Sequence, residues 1–263
     1  NFISHDFGEV GDFGSEMQFN LYNYRQTPIT ISGVNFNTSS FTTITSFPIT
    51  IEPLQAGIIN IEANNSSLGF VQDEMELISE GLPEGISVTL SITGVEGNVL
   101  SGSLSGTYPP AIYQISGNIT IEEDDTVYLE AGTRFLFNGG LRFDIFGTLK
   151  AIGSVTDSII FDDNGLGVWG GLFLDGVSDE TVFEYVKISG ARSAEGGGIW
   201  LWGSDPILTH VSIANNSAWE TGGGMQLWLS DPTLTHVTIS GNTANLGGGM
   251  YLWSSNPTLK YVT

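Results

Sequence analysis

No cysteine occurs in these 263 residues. Disulfides and thiolate metal sites are therefore excluded. Basic residues are scarce: seven Lys and Arg stand against 29 Asp and Glu, a net charge of −22. Nucleic-acid binding needs clustered Lys and Arg, and an anionic membrane surface repels an acidic chain, so neither partner is expected. No 18-residue apolar run is present, so no helix is expected to insert into a membrane. The chain opens at Asn1 without Met or a signal peptide and closes at Thr263 inside a repeat; both ends read as cuts in a longer polypeptide. Charged residues make up only 14%, too few for a disordered acidic tail, while glycine is plentiful at 35. That balance points to an all-β protein rich in turns.

What is present is dominated by a repeat. Gly196-Gly197-Gly198 returns as Gly222-Gly223-Gly224 and again as Gly247-Gly248-Gly249. Behind the triplets run Ser204-Asp205-Pro206, Ser230-Asp231-Pro232 and Ser255-Asn256-Pro257, each followed by a Leu-x-x-Val segment. Self-similarity at this period is the mark of a solenoid.

Residues 1–95 read differently. Met17–Leu21, Ile29–Ile31 and Ile86–Ile92 alternate apolar and polar residues, the pattern of half-buried strands. Turn signals separate them at Ser32-Gly33, Asn37–Ser40, Glu52-Pro53, Asn64–Ser67 and Glu80-Gly81. About seven strands in roughly a hundred residues predicts a β-sandwich. Phe7–Gly11, Asn20–Asn23, Pro28–Val34, Phe41 and Glu52–Gly57, in that order, resemble the immunoglobulin-like ASH family (the choice-of-anchor D group in bacteria). That resemblance implies a spacer or adhesion module without catalytic residues. The pattern departs after Gly69, where Asp73, Glu74, Glu76 and Glu80 fall in a segment expected to be plainer.

Residues 96–110 have the Gly, Ser and Pro content of a linker or cap. From Ala111 onward, Ile112–Ile121, Val127–Leu129, Phe135–Phe137, Leu141–Ile145, Leu149–Ile152 and Ile159–Phe161 read as short strands with tight connections. The run Ile119–Ile121, Leu129–Thr133, Gly147–Gly153, Ile159–Phe161 and Trp169–Gly171 resembles the opening coils of secreted right-handed parallel β-helix proteins of the Bacteroidota type. The expected fold is all-β: an Ig-like β-sandwich over 1–95, a linker or cap over 96–110, and a right-handed parallel β-helix over 111–263. The resemblance implies a bacterial cell-surface or secreted location, often reached by type IX secretion.

Stacked coils place equivalent residues one strand spacing apart, so aligned positions become ladders. Leu172/Ile199/Met225/Met250 and Leu174/Leu201/Leu227/Leu252 are uniformly apolar and are assigned inward. The intervening ladders, Phe173/Trp200/Gln226/Tyr251 and Asp175/Trp202/Trp228/Trp253, then point outward. Asp205/Asp231/Asn256 before Pro read as turn starters; calcium between the carboxylates is the alternative. Tyr185/His210/His236/Tyr261 share a position flanked by apolar ladders on both sides. Strict alternation cannot bury both flanks, so this position is read as a bend where His tolerates a left-handed backbone. Asn216 and Asn242 mark the next corner, with their amides expected to form a hydrogen-bonded ladder.

Parallel β-helices also carry lyases and hydrolases. A lyase needs a Lys or Arg base, or calcium with acidic ligands, and no base in 111–263 recurs with a partner at a ladder position. A glycoside hydrolase needs two facing carboxylates, whereas Asp162-Asp163 are chain neighbours, read as a solvated loop. The candidate ligand-binding residues, for glycan or protein, are Phe173, Trp200, Trp202, Trp228, Tyr251 and Trp253, because so large an outward aromatic patch is unusual on a monomer; the alternative is that the stacked rings only stabilise neighbouring coils or are covered by a loop or a neighbouring chain. The sequence reads as a non-catalytic scaffold or adhesin, with no cofactor expected and a polysaccharide or cell-surface protein as partner. The alternatives are an enzyme with its site elsewhere, or a filament or sheath subunit self-associating through an open coil edge.

Overall fold

The computed structural model describes residues 4–80 and 86–263. The turn expected at Glu80-Gly81 lies, from Gly81 onward, outside them. All regular elements among the described residues are strands, and the chain divides into two compact units, 1–99 and 100–263.

The first unit is a sandwich of two sheets. One has five strands in the order Ser4–Val10, Ser87–Gly94, Gly69–Glu80, Ile29–Asn35, Ile49–Ile51. Its first pair is parallel and the others are antiparallel. The other sheet has three strands, Ser15–Tyr22, Ala56–Ala63 and Phe41–Thr43. Alternation places Phe19, Ile31, Phe41, Ile51, Ile59, Ile61, Met75, Leu90 and Ile92 in one core. The acidic segment after Gly69 is a central strand, contrary to what its charges suggest. Glu74 and Glu76 occupy its outward positions. Asp73 points inward and is buried, but its carboxylate accepts hydrogen bonds from the backbone N–H groups of Asn37, Thr38 and Glu74 and from the Thr38 hydroxyl. Burial pushes this carboxyl up; the bonds outweigh burial and hold it below its ordinary value.

The second unit is a parallel β-helix with three faces. The strand Ile112–Ile121 begins two of them: its first half pairs with Arg134–Phe137 and its second half with Phe143–Ile145. From there the first face runs through Leu172–Asp175, Ile199–Trp202, Met225–Trp228 and Met250–Trp253. A second face stacks seven strands from Gly106–Tyr108 to Thr258–Lys260. The third ends at Thr238–Ser240. All these pairings are parallel and keep the register that the repeat alignment predicts. The stretch 96–110 carries two strands: Asn98–Ser103 pairs with Ile112–Ile121, and Gly106–Tyr108 opens the second face.

The assigned inward ladders are buried through Met225 and Leu227, while Leu252 in the last coil is exposed. They join Phe135, Phe137, Phe143, Phe161, Trp169 and Phe183 in one continuous core. Each such side chain contributes about 1.5–3 kcal/mol relative to exposure. The Gly triplets follow from close approach. Gly222 has φ +65°, and a Cβ on Gly223 would lie 2.4 Å from the Gly248 carbonyl oxygen of the next coil. No side chain fits between coils there.

Candidate functional site

The corners consume most of the recurrent polar side chains. Tyr185, His210, His236 and Tyr261 all have positive φ, between 50° and 54°, which establishes the bend. Turned outward, their rings stack at 4.6, 4.8 and 4.6 Å, close to the strand spacing. The Asn corner differs in detail from its expectation. Asn216 Oδ1 accepts the Ala191 N–H at 3.0 Å and its Nδ2 donates to the Ile188 carbonyl at 3.1 Å. Asn242 does the same for the Asn216 N–H and the Ile213 carbonyl, both at 2.8 Å. The amides thus bond to the backbone of the preceding coil instead of to each other, because that backbone leaves its ladder at the corner and needs partners.

A serine ladder that the sequence reading passed over does similar work. The hydroxyl oxygens of Ser204, Ser230 and Ser255 accept the N–H groups of Val177, Ser204 and Ser230 at 3.2, 3.1 and 3.0 Å. At the Asx-Pro turn, Asp205 and Asp231 accept the N–H of the residue one coil on, each at 2.5 Å. These carboxylates are turn elements. Asp162 and Asp163 close the strand Ile159–Asp163, and Asp163 accepts the Gly165 N–H at 2.7 Å, so they help make the following turn. Among the described residues, no group of three or more His, Cys, Asp or Glu is placed to hold a metal ion.

The outward side of the first face carries the stacked aromatic rings. Trp202, Trp228 and Trp253 stack with centroids 5.2 Å apart and planes within 3° and 14°. Trp202 is 39% and Trp253 50% exposed. Phe173 and Trp200 lie beside them, 4.8 Å apart and tilted by 51°. The Arg142 guanidinium sits 4.8 Å over the Phe173 ring and pairs with Asp144 at 2.5 Å.

The six candidate residues thus share one face, but not equally. An arm of two paired strands, Arg192–Glu195 and Ser217–Thr221, stands beside it. Gln226, expected to point outward into solvent, is 1% exposed, because it bonds to Glu195 from one arm strand and Thr221 from the other. Phe173, Trp200, Trp228 and Tyr251 are half-buried. A shallow cleft of about 90 Å³ runs between the arm and the face, lined by Arg142, Phe173, Glu195 and Trp200 among others. The arm adds an aromatic that the ladder alignment did not single out: Trp219, 54% exposed, under the Arg192 guanidinium at 5.2 Å.

Ring orientation decides what the ladder can contact. Rings stacked face to face at 5.2 Å leave no room for a ligand between them. Trp228 therefore offers only its edge. The outer faces of the stack belong to Trp253 and to Trp202, and Trp202 also meets Trp200 at 6.2 Å with planes 70° apart.

No family model matches the chain, and no curated protein matches it in sequence. Solved structures to which about a third of the chain is similar include the following three. For the VesB protease of Vibrio cholerae the identity is 13% and the TM-score 0.29, over 35% of this chain and 30% of that one. For the CupB2 chaperone of Pseudomonas aeruginosa the figures are 11% and 0.27, over 33% and 51%. For SSP-19, an MSP-domain-like protein of Caenorhabditis elegans, they are 10% and 0.26, over 33% and 91%. The chain thus spans less than two thirds of the protease and the chaperone, and likenesses at these scores carry no functional argument.

Proposed function

We propose that this chain is a non-catalytic part of a secreted or cell-surface bacterial protein, a rigid β-helical rod behind an ASH-like spacer, which binds polysaccharide along its aromatic face. The observation that carries the reading is the fate of the ladders. The recurrent Ser, Asn and Asp side chains are engaged with backbone at the corners, and the stacked His rings cover a bend. Among the described residues, the stacked rings Trp202, Trp228 and Trp253 make no hydrogen bond of that kind; their stacking contacts are with one another. A net charge of −22 sets the ligand's sign: uronate-rich chains are disfavoured, and neutral or cationic ones are favoured.

Retention on affinity gels cast with a panel of neutral and amino polysaccharides tests this. The double substitution Trp202→Ala/Trp228→Ala should lose the retardation that the parent shows on at least one gel. Unchanged retention of the double variant, or no retention of the parent on any gel, would end the glycan reading.

A further inference from the structure

The Trp ladder does not continue evenly down the helix. Below Trp202 the same position is Asp175, and below that, next to the paired Ile145, it is Phe146. One carboxylate thus replaces one ring in an aromatic column. The opening is real space: a notch of about 410 Å³ lined by Glu123, Phe146, Asp175, Gly176 and Ser178. Among the described residues, neither Glu123 nor Asp175 has an ion-pair or side-chain hydrogen-bond partner, whereas the bases Arg142 and Lys150 are held by Asp144 and Glu180.

Two strand spacings, roughly 9.5 Å, separate the levels of Phe146 and Trp202. Van der Waals contacts on both sides of a ligand take about 3.5–4.0 Å each, so the interval admits one puckered ring and not two. Trp202, one coil above the notch, uses one face against Trp228 and meets Trp200 at 6.2 Å in a T-shaped contact; its second face is on the side of the Asp175 coil.

We propose that this notch is a subsite for a single amino-sugar residue carrying a protonated amine, within a longer glycan lying on the face. The ammonium would sit over Phe146 between the Asp175 and Glu123 carboxylates, a cation–π and charge-assisted arrangement. The ring would lie against that second face of Trp202. Charge complementarity selects the amine over a neutral or anionic group. A sugar is favoured over a lysine-rich peptide because the backbone bonds of a sheet face run between coils, leaving nothing for a peptide backbone to pair with.

The inference rests on the polysaccharide reading above, and the test separates the two. The whole chain is titrated, by tryptophan fluorescence, with a glucosamine tetramer, its N-acetylated counterpart and a glucose tetramer. The glucosamine tetramer should bind about tenfold more tightly than the others. Asp175→Asn and Glu123→Gln should each erase most of that preference while leaving the two neutral oligomers unaffected. Trp202→Ala should weaken all three. Binding without a preference for the amine, or a preference that survives both carboxylate substitutions, overturns the subsite and leaves the glycan face standing. Equal competition by a lysine tetrapeptide overturns the sugar assignment. No binding by any oligomer overturns subsite and face together.

Discussion

Replacing Asn216 by Ala tests the corner chemistry directly. The side chain is 1% exposed and makes two bonds, one accepted from the Ala191 N–H and one donated to the Ile188 carbonyl. Alanine removes both and leaves two backbone groups without partners. An orphaned buried group costs about 1–3 kcal/mol, and the carbonyl, with a second lone pair, sits at the low end. The expected loss is therefore about 3 kcal/mol, localised between the coils on either side of Ala191. Asn242→Ala removes an equivalent pair of bonds to Asn216 and Ile213. Its site is half-buried, so water replaces part of the loss and a cost of about 1–2 kcal/mol is expected. The chain has two compact units, so a single unfolding midpoint is a poor measure. Native-state hydrogen exchange at the Ala191 amide is the better assay. A stability within about 0.5 kcal/mol of the parent, the usual range for an inert surface change, with unchanged Ala191 protection, would refute the argument that this amide completes the corner.

Two further outcomes are expected. At the left-handed bend, His210→Val should destabilise the helix by about 1–2 kcal/mol, while His210→Gly should come close to neutral on the backbone account; equal effects on hydrogen exchange of the amide at this position, which donates to the Thr235 carbonyl, would show that ring stacking, not backbone strain, governs the site. Asp73→Ala should cost about 2–4 kcal/mol by stranding the amides of Asn37, Thr38 and Glu74. Because the Asp73 carboxyl titrates lower folded than unfolded, its contribution is complete above the ordinary value of 3.8 and disappears as pH falls through the folded value. Exchange at the Asn37 and Thr38 amides should therefore accelerate below that pH in the parent and be fast at all pH in the variant.

Much of the helix was legible because a repeat supplies its own alignment. Once the triplets were superposed, Leu201 and Leu227 had to share a side, and the apolar neighbours of His210 and His236 forced a bend. The sandwich was legible from alternation, except where Asp73 broke it: its partners, Asn37 and Thr38, are brought close only by folding. Gln226 shows the other limit. Its position in the ladder says outward, and only the arm strands, which have no periodic signature, explain its burial. Ser204 and Ser230 went unread because a Ser before Asp-Pro suits any turn; their acceptor role needs the coil spacing. The missing ring at Asp175 was visible as a residue but not as a space.

The Ser and Asn ladders share a direction. In each, an oxygen of the later coil receives an N–H of the earlier one: Ser230 serves Ser204, and Asn242 serves Asn216. A coil therefore stays unfinished until its successor arrives. During synthesis from the N-terminus, the growing array would carry one raw coil at its leading edge, closed each time by the next 25 or so residues. Such a chain winds up behind the ribosome like rope onto a drum, and its period sets how much must emerge before each turn is locked.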